Sequence, residues 1–251
     1  GQGTRASLEA LGPAPPSVSV RDALGDGVDL PPPRGQALDA LLLSRATCRN
    51  FDAEAGMPLG DLSQVLAQTF AARGQAEVAP GAFALKKGSP SGGGLHPIEA
   101  FVLARRVDGL PAGLYHYDCM RHRLAAVAAA TSSDLRTLAL DFVAGQEWFV
   151  DAAALVVMVA RFERNQWKYR NHPKAYRVTL LDAGHLGQTF ALSATERGLG
   201  VFITGAINEH AITRSLGLRA GREGAIAVCG VGPRAATTRH AELAVEGLVG
   251  A

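Results

Sequence analysis

Between Pro173 and Gly198 the chain runs from Ala175 to Arg197 without a proline. Proline is tolerated in a helix's first turn and glycine marks a left-handed stop, so the run predicts about six helical turns ending at Gly198. Two stripes follow the i, i+3/i+4, i+7 spacing of one helix side: Leu180, Gly184, Gly187, Ala191 and Ala194, and beside it Ala183, Leu186 and Phe190. The first is nearly all small side chains, and each internal glycine costs roughly 1 kcal/mol against alanine, so close packing must outweigh propensity. The expectation is a long, buried helix, packed either within one subunit or across a dimer interface. Gly198 to Gly205 then reads as a glycine-flanked turn entering a short apolar strand, where backbone can approach a flat ligand.

A chain of 251 residues with a formal net charge of +2 can bury a full core without staples, and carries no electrostatic footprint for nucleic acid or an anionic membrane. Cys48, Cys119 and Cys229 are odd in number and far apart, which argues against a disulfide framework or a zinc knuckle. Each reads as a small buried residue. The longest apolar run, 152 to 160, is too short to cross a bilayer, and no signal peptide opens the chain, so the expected location is cytoplasmic.

Residues 1–34, with Pro13, Pro15, Pro16 and Pro31-Pro32-Pro33, read as a proline-rich extended arm, and 35–251 as a single domain. Leu38, Leu41 and Leu42 mark a helix from Gln36 to Arg45, and Leu59, Leu62, Leu66 and Phe70 mark a second, stopped by Gly74. Residues 81–97 read as a loop whose Ser-Gly-Gly-Gly core exposes backbone N–H groups to an anion or a heterocycle edge. Strands are expected at 98–105, 114–118, 122–127, 153–160 and 225–231, the fourth buried on both faces. Helices are expected at 133–143, capped by Ser132 or Ser133, and from an Asn208 cap to Leu216; the tail from Pro233 reads as an edge or partner-wrapping segment. The alternation lacks regular βαβ spacing, so the fold class is α+β.

Several motifs fail. Gly230-Val231-Gly232-Pro233-Arg234-Ala235 fits the dinucleotide fingerprint formally, but has no following βαβ unit or acidic residue. The histidines show no metal-hydrolase spacing, His185 reads as a hydrogen-bonded core residue, and neither a nucleophile elbow nor a P-loop occurs.

Four stretches in order carry a more specific signal: Ser-Arg-x-Thr-x-Arg-x-Phe at 44–51, Pro-Ser-Gly-Gly-Gly-Leu-His-Pro-Ile-Glu at 90–99, Lys168-Tyr169 with Ala-Tyr-Arg at 175–177, and Leu-Asp-Ala-Gly-His at 181–185 leading into Gly-Leu-Gly. Over roughly residues 40 to 234 the chain resembles the FMN-dependent nitroreductase superfamily, and within it the thiazoline/oxazoline dehydrogenases that mature ribosomal peptides of the streptolysin S and microcin B17 type. The resemblance implies a nitroreductase-like fold, with a central mixed or antiparallel sheet flanked by helices and a long buried central helix, in a homodimer with FMN at the interface. It also implies roles for residues. Arg45, Thr47, Arg49 and Arg234 would hold the phosphate, where guanidinium forks suit a dianion. Pro90, Ser91, Gly92 and Gly93 would line the ring and ribityl chain, and Leu199 and Gly200 would present backbone near N5. Three features depart from the family pattern: an insertion within Arg170–Pro173, Ala46 beside the first arginine, and His96 in the usual tyrosine position.

The activity implied is oxidation of azoline rings to azoles, a proton leaving beside a carbonyl and a hydride going to flavin N5, with oxygen re-oxidising the flavin. Lys168 would be the base and Tyr169 its hydrogen-bonding partner or relay. The partners implied are a modified precursor peptide and a cyclodehydratase. Two rivals stand beside this reading: a NAD(P)H-dependent reductase of nitroaromatics or quinones on the same fold, and a catalytically silent scaffold that binds peptides or complex partners.

Overall fold

The computed structural model describes residues 12–18, 28–32, 35–129, 132–244 and 247–249. In chain order the elements are α1 (Ala37–Ser44), β1 (Met57–Pro58), α2 (Leu59–Phe70), β2 (Gly74–Ala79), β3 (Ala82–Lys86), β4 (Ile98–Ala104), β5 (Val107–Asp108), β6 (Gly113–Asp118), β7 (Arg123–Ala129), α3 (Ser132–Phe142), β8 (Ala154–Arg161), α4 (Phe162–Tyr169), α5 (Lys174–Glu196), β9 (Gly200–Thr204), α6 (Glu209–Leu216), β10 (Glu223–Gly232), β11 (Glu242–Ala244) and β12 (Gly247–Val249). Of the proline-rich arm only 12–18 and 28–32 are described; they are exposed and carry no helix or strand.

A six-stranded sheet, ordered β7-β6-β4-β8-β10-β9 with every neighbour antiparallel, forms the middle layer. β8 lies at its centre, buried along nearly its whole length. Its even-numbered residues Val156, Met158 and Ala160 join the core under α2 and α5, and its odd-numbered Leu155, Val157 and Val159 join the core under α3 and α6. A strand covered on both faces has no polar side to show, which is why 153–160 is continuously apolar. The arrangement is an α+β sandwich of helices around an antiparallel sheet. Among the described residues no helix is long and apolar enough to cross a membrane.

The proline-free run forms α5, which starts at Lys174 behind Pro173 and ends at Glu196, with Gly198 at φ +69°. Its burial is one-sided. Ala183, Leu186, Gly187, Phe190, Ala191 and Ala194 face the sheet and α2, with Gly187 close against Ile203 and Met158. Tyr176, Leu180 and Leu181 are 58%, 59% and 55% exposed, and Gly184 and His185 also lie in the open. The first stripe therefore splits, buried at its C-terminal end and bare at its N-terminal end, and His185 is not a core histidine.

Two further expectations are corrected. α2 stops at Phe70 rather than at Gly74, because Ala72 and Arg73 donate their N–H groups to the carbonyls of Cys119 and Lys86 and draw the chain away. Gly74 instead opens a hairpin, β2–β3, turning at Pro80-Gly81 with Gly81 at φ +72°. Its first half lies between the second predicted helix and the expected loop, and its second strand falls inside that loop. The segment after β8, given no helix from sequence, is α4, joined to α5 by an exposed turn at 170–173. Asn208 caps α6 as expected, accepting the Ala211 N–H at 3.0 Å. The side chains of Ser132 and Ser133, the expected caps of α3, lie outside the described residues. The tail beyond Pro233 turns back on its own chain, where Asn50 holds Arg239 and His240 through their N–H groups.

Phe190 is fully buried where α5, α2 and the sheet meet. Phe190→Ala should cost about 3–5 kcal/mol, read as a lower urea midpoint with an unchanged slope; a loss below 1 kcal/mol, on the same scale, would contradict this packing.

Candidate functional site

The N-terminal half of α5 anchors the glycine loop. Asp182 is 3% exposed, and its carboxylate accepts the Ser91 hydroxyl at 2.5 Å and the Gly92 N–H at 3.1 Å. Ser91 Oγ in turn accepts the His96 N–H at 2.8 Å. These bonds tie the loop down while Gly93, Gly94 and His96 take φ values of +68°, +70° and +45°. Left-handed backbone is free to glycine but strains a histidine by roughly 1–3 kcal/mol, which the loop's own bonds help offset. Burial holds the His96 imidazole below its ordinary range, with the nearby Lys87 charge acting in the same direction, so His96 is neutral at pH 7. Lys87 is itself buried at 4% exposure, and that burial holds its ammonium below the usual lysine range.

Gly92 lies against Val178 of α5 with no room for a Cβ. A Cβ on Gly93 would sit 2.6 Å from the Tyr169 hydroxyl and 2.7 Å from Lys168 Nζ. Lys168 Nζ itself reaches the Gly93 carbonyl at 3.4 Å, a long contact. The Lys-Tyr pair thus sits on the last turn of α4, folded onto the bare Cα of Gly93, with Lys168 exposed and Tyr169 half-buried. Pro90 lines a small cleft beside His96 and Asp182.

A second group forms at the other end of α5. Leu199 donates its N–H to the Ala194 carbonyl at 3.1 Å. Thr47 bridges Val201 in parallel, and the Cys48 N–H bonds the Val201 carbonyl at 2.8 Å, laying residues 47–49 along the start of β9. Gly200 leaves its Cα face to Cys48 Sγ and Arg234 Cγ, 2.6 and 3.1 Å from where a Cβ would be. Arg45, Thr47 and Arg49 occupy alternate positions of this segment and are partly buried, whereas Cys48 and Asn50 are buried. The Arg49 side chain lines a cavity of about 360 Å³ with Trp148, Arg239 and His240.

Glu242 from the tail closes this region. Its carboxylate accepts the Arg49 and Asn50 N–H groups at 2.5 and 3.1 Å, the Asn50 side-chain amide at 2.9 Å, and the Arg234 guanidinium at 2.9 Å. Burial opposes its ionisation, but these donors outweigh burial and hold the carboxyl below its ordinary range. Arg234 is therefore already engaged by a carboxylate. Burial pushes the adjacent Cys48 thiol up to about 11, which leaves it protonated.

The structure thus gathers the sequence-predicted residues in two groups rather than one. Pro90, Ser91, Gly92, Gly93, Lys168 and Tyr169 stand with Asp182; Thr47, Arg49, Leu199, Gly200 and Arg234 stand beyond Ala194. At 1.5 Å per residue the helix holds Asp182 and Ala194 about 18 Å apart. Sequence reading assigned no role to Asp182, Lys87, His96 or Glu242. Asp182 had a signal, a lone acid at i, i+3 and i+4 among Thr179, Ala183 and Leu186 on the buried stripe; Glu242 had none.

A family model described as "Nitroreductase family" matches residues 42–233. The chain is 33% identical over 135 residues to TfxB, a trifolitoxin-processing protein of Rhizobium leguminosarum bv. trifolii, covering 53% of this chain and 36% of TfxB. It is 28% identical over 194 residues to MJ1384 of Methanocaldococcus jannaschii, a proposed nitroreductase, covering 76% of this chain and 90% of MJ1384. Its fold matches a chain of the Escherichia coli microcin synthetase McbBCD complex with truncated pro-MccB17 bound, at a TM-score of 0.69 and 21% identity over 94% of this chain and 84% of that one. It also matches a proposed nitroreductase of Anabaena variabilis at a TM-score of 0.60 and 27% identity, over 68% of this chain and 34% of that one. The chain thus spans about a third of the length of TfxB and of the Anabaena chain.

Because the Glu242 carboxyl is held low, its contribution is full above the ordinary carboxylate range and is lost as pH falls through its lowered value. Hydrogen exchange should show the Arg49 and Asn50 amides losing protection in acid, and Glu242→Gln should lower their protection at neutral pH by about tenfold or more. Equal protection in the variant would remove Glu242 as the tail's anchor.

Proposed function

The chain belongs to the nitroreductase family, and from that premise we propose that it is an FMN-dependent dehydrogenase of peptide maturation, oxidising thiazoline or oxazoline rings, or a comparable peptide unit, to the unsaturated product. The observation that carries this reading is the Lys168–Tyr169 pair resting on the Cα of Gly93. A reductase that passes electrons from NAD(P)H to a nitro group or quinone needs no base at that place, whereas ring oxidation must remove a carbon-bound proton. The similarity to a trifolitoxin-processing protein and the shared fold with a microcin synthetase chain support the peptide-maturation setting.

The residues fit FMN. Gly93 lacks a Cβ where Lys168 and Tyr169 fold in, and Gly200 lacks one where Cys48 and Arg234 pack, so each glycine lets a candidate ligand-binding side chain come close to the backbone. Arg45, Thr47 and Arg49 would hold the phosphate, with Arg234, shared with Glu242, as a secondary contact. Pro90, Ser91, Gly92 and Gly93 would line the ring, and Leu199 and Gly200 would offer it backbone. Bound FMN would supply the two-electron acceptor. Lys168 takes the proton, Tyr169 hydrogen-bonds the lysine, and Asp182 keeps the loop beneath them in place through Ser91 and Gly92. A base acts efficiently only where water is excluded. Lys168 is exposed in the single chain, so the substrate and a second subunit would have to complete its enclosure.

A homodimer is part of the proposal. The glycine loop is tied to α5 at Asp182 and the Leu199–Gly200 turn follows that helix at Ala194, and an antiparallel second copy would bring the loop of one chain to the Leu199–Gly200 turn of the other. Apolar side chains are available for it: Tyr176, Leu180 and Leu181 are exposed on α5, and α1, which packs against that helix, exposes Leu38, Leu42 and Leu43. A cyclodehydratase acting on the same precursor peptide is the expected partner.

Lys168→Ala should keep the yellow chromophore yet slow anaerobic flavin reduction by a synthetic thiazoline peptide about 10²–10⁴-fold, while Arg45→Ala should lose the chromophore. Full turnover by the lysine variant would remove it from the mechanism, and rapid bleaching by NADPH would favour the reductase reading. Separately, Leu180→Glu with Leu181→Glu should convert a sedimenting dimer of the 26.2 kDa chain to monomer and release the flavin together. A wild-type monomer that retains flavin would end the shared-site model.

A further inference from the structure

The hairpin β2–β3 stands apart from the main sheet as a two-stranded unit, with β2 exposed along its whole length. Between its tip and α4 runs a groove of about 730 Å³, floored by Gly93, Gly94 and Leu95 and reaching Lys168. That volume falls in the range of roughly 300–1,000 Å³ typical of binding clefts. The groove adjoins the loop under Asp182, sharing Gly93 and Lys168 with it, and extends from there to the hairpin tip and Trp167.

Its two walls differ in chemistry. The hairpin side is apolar and ends in Phe83, 48% exposed; the α4 side presents Trp167, 56% exposed, with Arg164 and Lys168. Large exposed aromatic surfaces facing one cleft are a recognition feature rather than a core feature. The charges there are unbalanced. Arg161 pairs with Glu99 and Glu163, and Glu163 is also met by Arg219, so the nearby carboxylates are committed. Among the described residues neither Arg164 nor Lys168 has a carboxylate within ion-pair distance. Arg164 is nonetheless fixed, its Nε donating to the Leu95 carbonyl at 2.7 Å, with its terminal N–H groups left over. A half-buried guanidinium held in one orientation and lacking an anion is prepared for a carboxylate.

We propose that this groove holds the peptide segment flanking the reacting residue, and that it selects a flat or aromatic side chain followed closely by a carboxylate. The ring lies against Phe83 and Trp167, and the carboxylate takes the free fork of Arg164, which leaves Lys168 at the reacting residue. This rests on the peptide-dehydrogenase reading above and adds to it a sequence preference for the substrate. The preference also keeps the substrate's negative charge off the base, since Arg164 and not Lys168 receives it.

The test uses the full chain, FMN-loaded where it takes FMN, and two dye-labelled, capped peptides, Gly-Phe-Gly-Asp-Gly and Gly-Phe-Gly-Lys-Gly, read by fluorescence anisotropy. The acidic peptide should bind about tenfold or more tightly than the basic one. Arg164→Gln should abolish that preference, and Phe83→Ala with Trp167→Ala should weaken both peptides while leaving the flavin spectrum unchanged. If Arg164→Gln does not fold, the salt dependence of the wild-type preference serves instead: it should shrink as ionic strength rises. Equal binding of the two peptides, no binding of either, or a preference that survives Arg164→Gln or high salt would overturn the proposal. A flavin-loaded protein that ignores both peptides overturns the groove and leaves the oxidoreductase reading standing; a colourless protein that prefers the acidic peptide through Arg164 does the reverse.

Discussion

The packing of α5 against the centre of the sheet is the constraint from which the rest of the molecule follows. Gly187, Ala183, Ala191 and Ala194 let the helix approach Met158 and Ile203, and Phe190 fills the space that remains toward α2. A rigid rod seated this way fixes what hangs from each end. At one end Asp182 holds the glycine loop; at the other Ala194 holds the turn into β9. Neither end could be moved without unseating a buried face.

That rigidity also separates the two ends. The glycine loop is anchored at Asp182, and the Leu199–Gly200 turn hangs from Ala194, about three helical turns further on. The same helix leaves its first turns bare on the side away from the sheet, in leucine and tyrosine. Exposed apolar side chains of that kind are what a partner surface covers, and in the dimer proposed above a second copy would cover them. The proposed antiparallel pairing of two copies would cover that surface and bring the loop of one chain to the turn of the other.

What the sequence made legible follows periodicity. The β8 strand was readable because burial on both faces leaves an unbroken apolar run, and α5 because a proline-free stretch between Pro173 and Gly198 has few alternatives. The hairpin β2–β3 was missed although Pro80-Gly81 between two short alternating runs marks a turn; the glycine-rich residues after it dominated the reading. The role of α4 was missed because only Asn165 of it is buried, so no stripe announces it. At the site, residue types were legible and their grouping was not. Which of Arg45, Gly93, Lys168 and Gly200 stand together depends on helix length and strand register, quantities that a motif does not carry. Glu242 was out of reach altogether, because its partners Arg49 and Asn50 lie nearly two hundred residues away in the chain.

The chemistry imposes one further requirement on the geometry. Lys168 projects from the last turn of a short helix onto the loop it would serve. In the mechanism proposed above, proton abstraction by Lys168 depends on what excludes water around it. The groove beside it is open, walled by an apolar hairpin that the main sheet does not hold, and the bare turns of α5 lie next to the loop. In that proposed mechanism, substrate in the groove and a second copy over the helix would enclose the lysine. The proposed arrangement would make the base competent only in the assembled complex, so that the free chain would not remove protons indiscriminately.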